Sequence, residues 1–464
     1  MWTAKITLKM LGGKLKMSKE SKLSIGEALP LSFQHLLAMF VGTIVPPILI
    51  AGAIGATVEQ RITLIQSALF VSAIATFIQL FPLPLFGRYK LGSGLPMMMG
   101  MSYVFLGLTV AVAKDQGLPV LFGSLLVASI VGIFMGFFVD KIKKIFTPLI
   151  SGVLVICMGI GLYPSAVRNF ASGIKPENYG DPKNIFVGIL VVFIIAILNK
   201  VGKGMVKNAA IVIGMIVGYI VAIPFGMVDF SSISQASWIA IPRPMAYGIA
   251  FDTGTIITFT IAYAISIISL LGCGTVTTFG AYGRPLSGKE IANSSIAMGF
   301  GSVIASIFGS IPMAGLTQNA AIISINKKTQ KIIFVLASLM VLITSISPKI
   351  ASCLISIPNS VIGGGTLVIF GMITISGIGL LNRAGDNEYS KLIAGISIAI
   401  SIGITYNPTM FLQFSPTIQT LIGKSSLISG VIVALILQGI FGTIDRYIEK
   451  KSIDGCKGEK VTIN

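Results

Sequence analysis

The sequence predicts an all-α protein that crosses a membrane many times, and three observations lead there. Apolar residues fill 54% of 464 positions and charged residues only 11%, against the roughly one-quarter charged content of soluble domains. The mean hydropathy is +0.91. Apolar runs also recur at close to the ~20 residues a helix needs to cross a hydrocarbon core of ~30 Å.

Taken in order, the runs between charged or Pro/Gly breaks give fourteen spans. The first, 30–53, belongs to an apolar stretch beginning at Ala28. It is too long for a signal-peptide core and lacks a small-residue cleavage pattern, so it reads as a retained span. The second, 62–82, stops at Pro82, and the third, 93–112, opens on GSGLPMMMG (92–100). The fourth and fifth, 119–139 and 147–163, flank Lys141, Lys143 and Lys144. The sixth and seventh, 184–199 and 207–227, flank Lys200, Lys203 and Lys207. The eighth, 253–279, follows Asp252, which suits a helix N-cap, and the ninth, 290–309, follows Arg284 and Lys289. The tenth, 312–326, opens on Pro312, and Lys327 and Lys328 separate it from the eleventh, 329–348. The twelfth and thirteenth, 358–381 and 390–407, flank Arg383 and Lys391, and the fourteenth, 424–443, leads into a basic tail.

With the N-terminus inside, 26 of the 34 Lys and Arg residues fall on cytoplasmic segments and 8 outside, as the positive-inside rule requires. That distribution accounts for the net charge of +18 without nucleic acid as a partner. The lipid bilayer is the expected surrounding, with both termini cytoplasmic. Cys157, Cys273, Cys353 and Cys456 are scattered with no metal-ligand spacing, so neither a disulfide, a metal nor a cofactor is expected.

The two halves echo each other. GSGLPMMMG in the third span has its counterpart in GSIPMAGLT (309–317) in the tenth, seven spans later. Seven is odd, so the halves run in opposite senses through the membrane, the inverted-repeat plan of secondary transporters. This sets the expected organisation as a basic N-terminus at 1–29, a first repeat at 30–230, a second at 231–443 and a tail at 444–464. Gly and Pro interrupt helix in both pieces, and broken backbone at membrane depth persists only where protein or a watery cavity satisfies it. Paired broken segments are the sequence pointer to a midplane substrate site.

In the tenth span Gln318 offers one acceptor and two donors in a plane, matching the N–H and C=O edge of a purine or pyrimidine dione. It alternatively caps the helix break or pairs with another span. Asn319 suits a structural role through backbone hydrogen bonds. His35, the single histidine, lies in the first span, where an ionisable residue suggests function or a neutral bond to a neighbouring helix.

Four motifs now stand in order: QHLLAMFVGTIVPPIL (34–49), GLPMMMGMSYVF (94–105), TQN (317–319) and IPNSVIGGGTLVIFGMITISGIGLL (357–381). Together they resemble the nucleobase-cation symporters of the xanthine/uracil permease type, also called nucleobase-ascorbate transporters, over nearly the whole chain. The resemblance implies a core domain of spans 1–4 and 8–11 and a gate domain of spans 5–7 and 12–14. It implies short extended segments opening spans 3 and 10, and a homodimer through the gate domains. It also implies substrate contact from Gln318, Thr317, Ser269, Met98 and Cys273, with His35, Asn319, Gly100, Gly315, Pro96 and Pro312 supporting the site.

The eighth span departs from that family. Relatives carry a glutamate there in an E-x-x-G-D or E-x-x-G-H pattern; this chain has SLLGC, with Ser269 at the glutamate position, Gly272 at the glycine and Cys273 last. A ninth-span carboxylate is replaced by Met298. A hydrogen bond to a charged acceptor is worth roughly 1.5–3 kcal/mol against about 1 for a neutral one. The exchange therefore weakens or redirects recognition and removes the obvious group for a coupled proton.

The expected function is a plasma-membrane permease for a nucleobase, xanthine-like before uracil-like, working by alternating access with a proton or sodium ion as the candidate coupling ion. An uncoupled facilitator, a carrier of another small solute, and an anion carrier of the related sulfate-permease architecture are the rivals within transport. A membrane-embedded enzyme is disfavoured because the sequence has no paired intramembrane carboxylates, metal cluster or nucleophile motif.

Overall fold

Pro and Gly punctuation decides where the apolar runs become helix. The computed structural model describes residues 23–139, 141, 147–172, 178–385, 388–415, 418–423 and 426–458. Most of the basic N-terminus, Lys143, Lys144, Lys175 and Lys424 of the charge count, and residues 459–464 of the tail lie outside the described residues.

The elements run α1 (Ile25–Ala53), α2 (Val58–Leu80), β1 (Leu83–Pro84), β2 (Lys90–Leu91), β3 (Met99–Met101), α3 (Tyr103–Asp115), α4 (Gly117–Phe137), α5 (Pro148–Ala171), α6 (Pro182–Val201), α7 (Gly204–Asn208) and α8 (Ala210–Ala222). There follow α9 (Ser231–Gln235), α10 (Thr253–Tyr282), α11 (Gly288–Ile307), β4 (Met313–Gly315), α12 (Thr317–Asn326), α13 (Lys331–Ser345), α14 (Pro348–Ile355), α15 (Asn359–Arg383), α16 (Glu388–Tyr406) and α17 (Ser426–Gly458).

Among the described residues, nine helices are long and apolar enough to cross a membrane, and α13 with α14 makes a tenth such segment bent by 84°. The other expected spans take different forms. The third and tenth are a strand followed by a short helix, the seventh is the 13-residue α8, and the ninth, α11, carries a polar stretch from Asn293 to Ser295. The eleventh span, expected over 329–348, is α13, which stops at Ser345 because Pro348 disfavours helix at Ser347, and α14 follows beyond the expected bound. The fifth runs past its expected end at 163, with Pro164 held inside α5.

Helix starts are set by local caps. Ser24, Thr57 and Ser287 close capping boxes with Glu27, Gln60 and Glu290. Asp252 caps α10, accepting from the Thr255 N–H at 2.8 Å.

The helices pack in two sets. In one, α4 lies on α10 and α11, α2 on α11 and α13, α1 on α2 and α13, and α12 on α10. In the other, α5 lies on α15 and α17, α6 on α8 and α15, and α16 on α17. The second set meets across Gly363, Gly364 and Gly365 of α15. A Cβ at Gly363 would stand 2.1 Å from the Phe170 backbone N, and one at Gly364 would stand 2.7 Å from the Gly188 carbonyl oxygen. Small residues permit that approach, and close van der Waals packing is what holds helices together where lipid removes the hydrophobic drive.

Candidate substrate site

β3 and β4 pair antiparallel in the middle of the first helix set, with Met99 opposite Gly315, Gly100 opposite Ala314 and Met101 opposite Met313. The ladder continues at both ends, where the Ser102 N–H donates to the Pro312 carbonyl at 2.9 Å and the Leu316 N–H to the Met98 carbonyl at 3.0 Å. Neighbouring helices satisfy the rest of this broken backbone. The Met99 N–H donates to Thr76 Oγ1 at 2.9 Å, and the Met99 carbonyl accepts from Ser72 Oγ, both residues of α2. The Met313 N–H donates to Ser302 Oγ of α11 at 2.9 Å. The second and ninth spans therefore do the same task for the third and tenth.

Two glycines make the crossing tight. A Cβ at Gly100 would lie 2.8 Å from the Leu316 side chain, and one at Gly315 would lie 2.9 Å from Cys273 Sγ. Pro96, Met98, Pro312 and Cys273 are buried around them. The Met98 side chain is packed in the core and its carbonyl is engaged by Leu316.

Two half-helices start from the crossing. The caps of α3 and α12, Ser102 and Leu316, make no side-chain cap bond. The first intrahelical bond of α12 runs from the Ala320 N–H to the Leu316 carbonyl at 3.2 Å, so Thr317, Gln318 and Asn319 carry the N–H groups that precede it. Such groups, with the positive end of the helix dipole, suit an electron-rich ligand.

The TQN motif divides by face. Asn319 turns inward, and its amide donates to the His35 carbonyl at 2.9 Å and to His35 Nδ1 at 3.0 Å. That pairing makes Nδ1 the acceptor and puts the ring proton on Nε2. Gln34 Oε1, beside His35 in sequence, accepts from Asn326 at 3.0 Å, so the Gln-His pair of α1 holds α12 at both ends. Thr317 is exposed and Gln318 half-buried, with its amide 4.0 Å from where a Cβ would stand on Gly42. Ser269 is half-buried one turn before Cys273, and Gly272 between them faces open space.

The interior at Met298 is neutral. Tyr263 Oη donates to the Met298 carbonyl at 3.1 Å, Ser266 Oγ lies 3.9 Å from Met298 Sδ, and Ser266 Oγ is 3.0 Å from Ser102 Oγ. Hydroxyls thus link α3, α10 and α11 where a carboxylate was expected in relatives.

A cavity of about 740 Å³ opens between the two helix sets, at the end of the bundle where α1, α5 and α16 finish and α2 and α15 begin. It reaches the head of α3 at Tyr103, whose enclosed hydroxyl has no hydrogen-bond partner and whose ring meets Phe370 of α15 edge-on at 6.0 Å. Gln318, Thr317 and Ser269 do not line it. Polar groups converge at the crossing, while the cavity wall carries many aliphatic residues beside Arg61, Arg168, Asn169 and Asn359. Tyr103, Thr76, Ser302 and Gln34 were not singled out as site residues by sequence; Gln34 had a visible signal as the first residue of the QHLLAMF motif and Tyr103 as the aromatic after Gly100-Met101-Ser102, whereas Thr76 and Ser302 had none.

Residues 26–410 match the sequence model of a permease family, that of the xanthine and uracil permeases. A putative purine permease of Clostridium perfringens is 32% identical over 408 residues, covering 88% of each chain. The uric acid permease PucJ of Bacillus subtilis is 32% identical over 425 residues, covering 90% of this chain and 93% of its own. The xanthine permease XanQ of Escherichia coli is 28% identical over 443 residues, covering 92% and 93%. Among solved structures, the transmembrane domain of the cyanobacterial bicarbonate transporter BicA superposes with a TM-score of 0.56 at 16% identity, covering 90% of this chain and 98% of its own. Murine Slc26a9 in an inward-facing state gives 0.60 at 13%, covering 95% and 75%. At those identities the likeness is one of fold.

Proposed function

Because the chain belongs to the xanthine and uracil permease family, we propose that it is a secondary-active permease for a nucleobase, purine- or xanthine-like first and uracil-like second. The observation that carries this is the antiparallel crossing of β3 and β4. It starts two uncapped half-helices from one point and sets the Gln318 amide at the head of one of them. Gln318 reads the donor–acceptor edge of the base, with Thr317 and Ser269 beside it, while His35, Asn319, Gly100, Gly315, Pro96 and Pro312 keep the crossing in shape and Met98 and Cys273 form its packed floor.

In this reading the chain makes fourteen passes as two inverted repeats in the plasma membrane, with cytoplasmic termini. The first helix set is a core that rocks against the second as a gate, and two copies associate through their gates. The separate packing of the two sets and the cavity between them support alternating access. Coupling to a proton or sodium ion is the proposed energy source, while the hydroxyl chain around Met298 favours a second reading, an uncoupled facilitator.

Uptake of labelled xanthine into proteoliposomes, with and without an imposed proton gradient and with uracil, guanine and sulfate as competitors, tests both. Inhibition by the bases and not by sulfate is expected, and Gln318→Ala is expected to lose uptake at least tenfold while inserting normally. Sulfate competition without base competition would overturn the proposal.

A further inference from the structure

Arg61 at the start of α2 and Arg168 near the end of α5 both line the cavity, and they are its only charged side chains among the described residues. Its other titratable lining groups are Tyr103 and Tyr406. Arg61 is half-buried, and its Nε donates to the Ala56 carbonyl at 2.9 Å, which leaves the terminal N–H groups of the guanidinium available. Glu59 is exposed, stands two residues away on another face of α2 and does not line the cavity. Neither arginine is in an ion pair among the described residues. Tyr103 lines the same cavity, with its unpartnered hydroxyl enclosed in the protein behind the ring.

Among the described residues, everything the cavity and crossing offer beyond aliphatic wall is thus cationic or neutral. Arg61 is half-buried and Arg168 exposed; a cleft lined by one sign of charge focuses potential and raises the local concentration of the opposite charge, and a planar guanidinium matches a planar delocalised anion. A neutral base gains less from them than an anion does, since it offers only neutral acceptors, and a cation is repelled.

We infer that this cavity admits its nucleobase as the deprotonated monoanion, drawn in by Arg61 and Arg168 and passed to Tyr103 at the head of α3. This rests on the permease reading and narrows its substrate class to purines acidic enough to be ionised at neutral pH. The carrier then needs no carboxylate at Ser269 or Met298, because the substrate brings the charge.

Proteoliposome uptake of urate, an anion at neutral pH, and hypoxanthine, neutral at the same pH, tests it. Wild-type protein should favour urate and lose that preference as ionic strength rises. Arg61→Gln with Arg168→Gln should raise the urate KM on the order of tenfold or more and leave hypoxanthine unchanged, while Arg61→Lys with Arg168→Lys should largely restore it. Thermal stabilisation of the purified variants by urate reads binding if transport is lost. Equal effects on both bases, or none on urate, would overturn the inference and leave the permease standing; a wild type that carries xanthine or uracil but not urate would do the same, and failure to carry any of these bases would overturn both.

Discussion

Thr76 shows how much a single hydroxyl holds here. It takes the Met99 N–H at 2.9 Å in a fully buried position, where no water can replace it. Thr76→Val keeps the shape and leaves that N–H unpaired, which costs about 1–3 kcal/mol. A fall in the melting temperature of the detergent-purified protein is expected, and an unchanged melt would mean that the strand has found another acceptor. Residue identity in TQN was readable from sequence as chemistry: an amide that suits a base and an amide that suits structure. Which way each one turns was not readable, because Asn319 is oriented by His35, 284 residues away.

At the level of elements, the breaks are the working parts. Apolar length located the continuous helices well, with α1, α4, α6, α10 and α15 within a few residues of their expected bounds. It missed the bend between α13 and α14 and the small β1–β2 hairpin, since Pro348 ends a helix without altering hydropathy and the hairpin depends on the Lys90 N–H reaching Asn293 Oδ1 at 3.0 Å. The glycine run of α15 is likewise apolar in any scale, but its function is proximity. Gly363→Ala forces a Cβ against the Phe170 backbone, an overpacking that costs about 1–3 kcal/mol. Reduced folded yield and a lower melting temperature are expected; a variant as stable as wild type would show that α5 can shift without loss.

Across the whole molecule, the two helix sets meet sparingly, and one meeting point is the Tyr103 ring against Phe370. If the sets move relative to each other during transport, a thiol-specific bridge there stops the cycle. In a chain with its native cysteines replaced, Tyr103→Cys with Phe370→Cys should lose on bridging the base uptake that the unbridged double variant retains, and regain it on reduction. Uptake that persists with the bridge fully formed would sink the rocking mechanism.

The sequence by itself determined the membrane environment, the approximate helix bounds, the two broken segments and the family, because each is written in local composition, in spacing or in short motifs. Only the tertiary structure decided how those pieces serve a site. The pairing of Met99 with Gly315, the hydroxyls of Thr76 and Ser302 that stand in for water, the grip of Gln34 and His35 on α12, and the shared cavity of Arg61 and Arg168 all join residues far apart in the chain. The physical reason is that inside a bilayer every broken backbone group must find its partner within the protein. That partner is chosen by packing, which no local pattern of residues records.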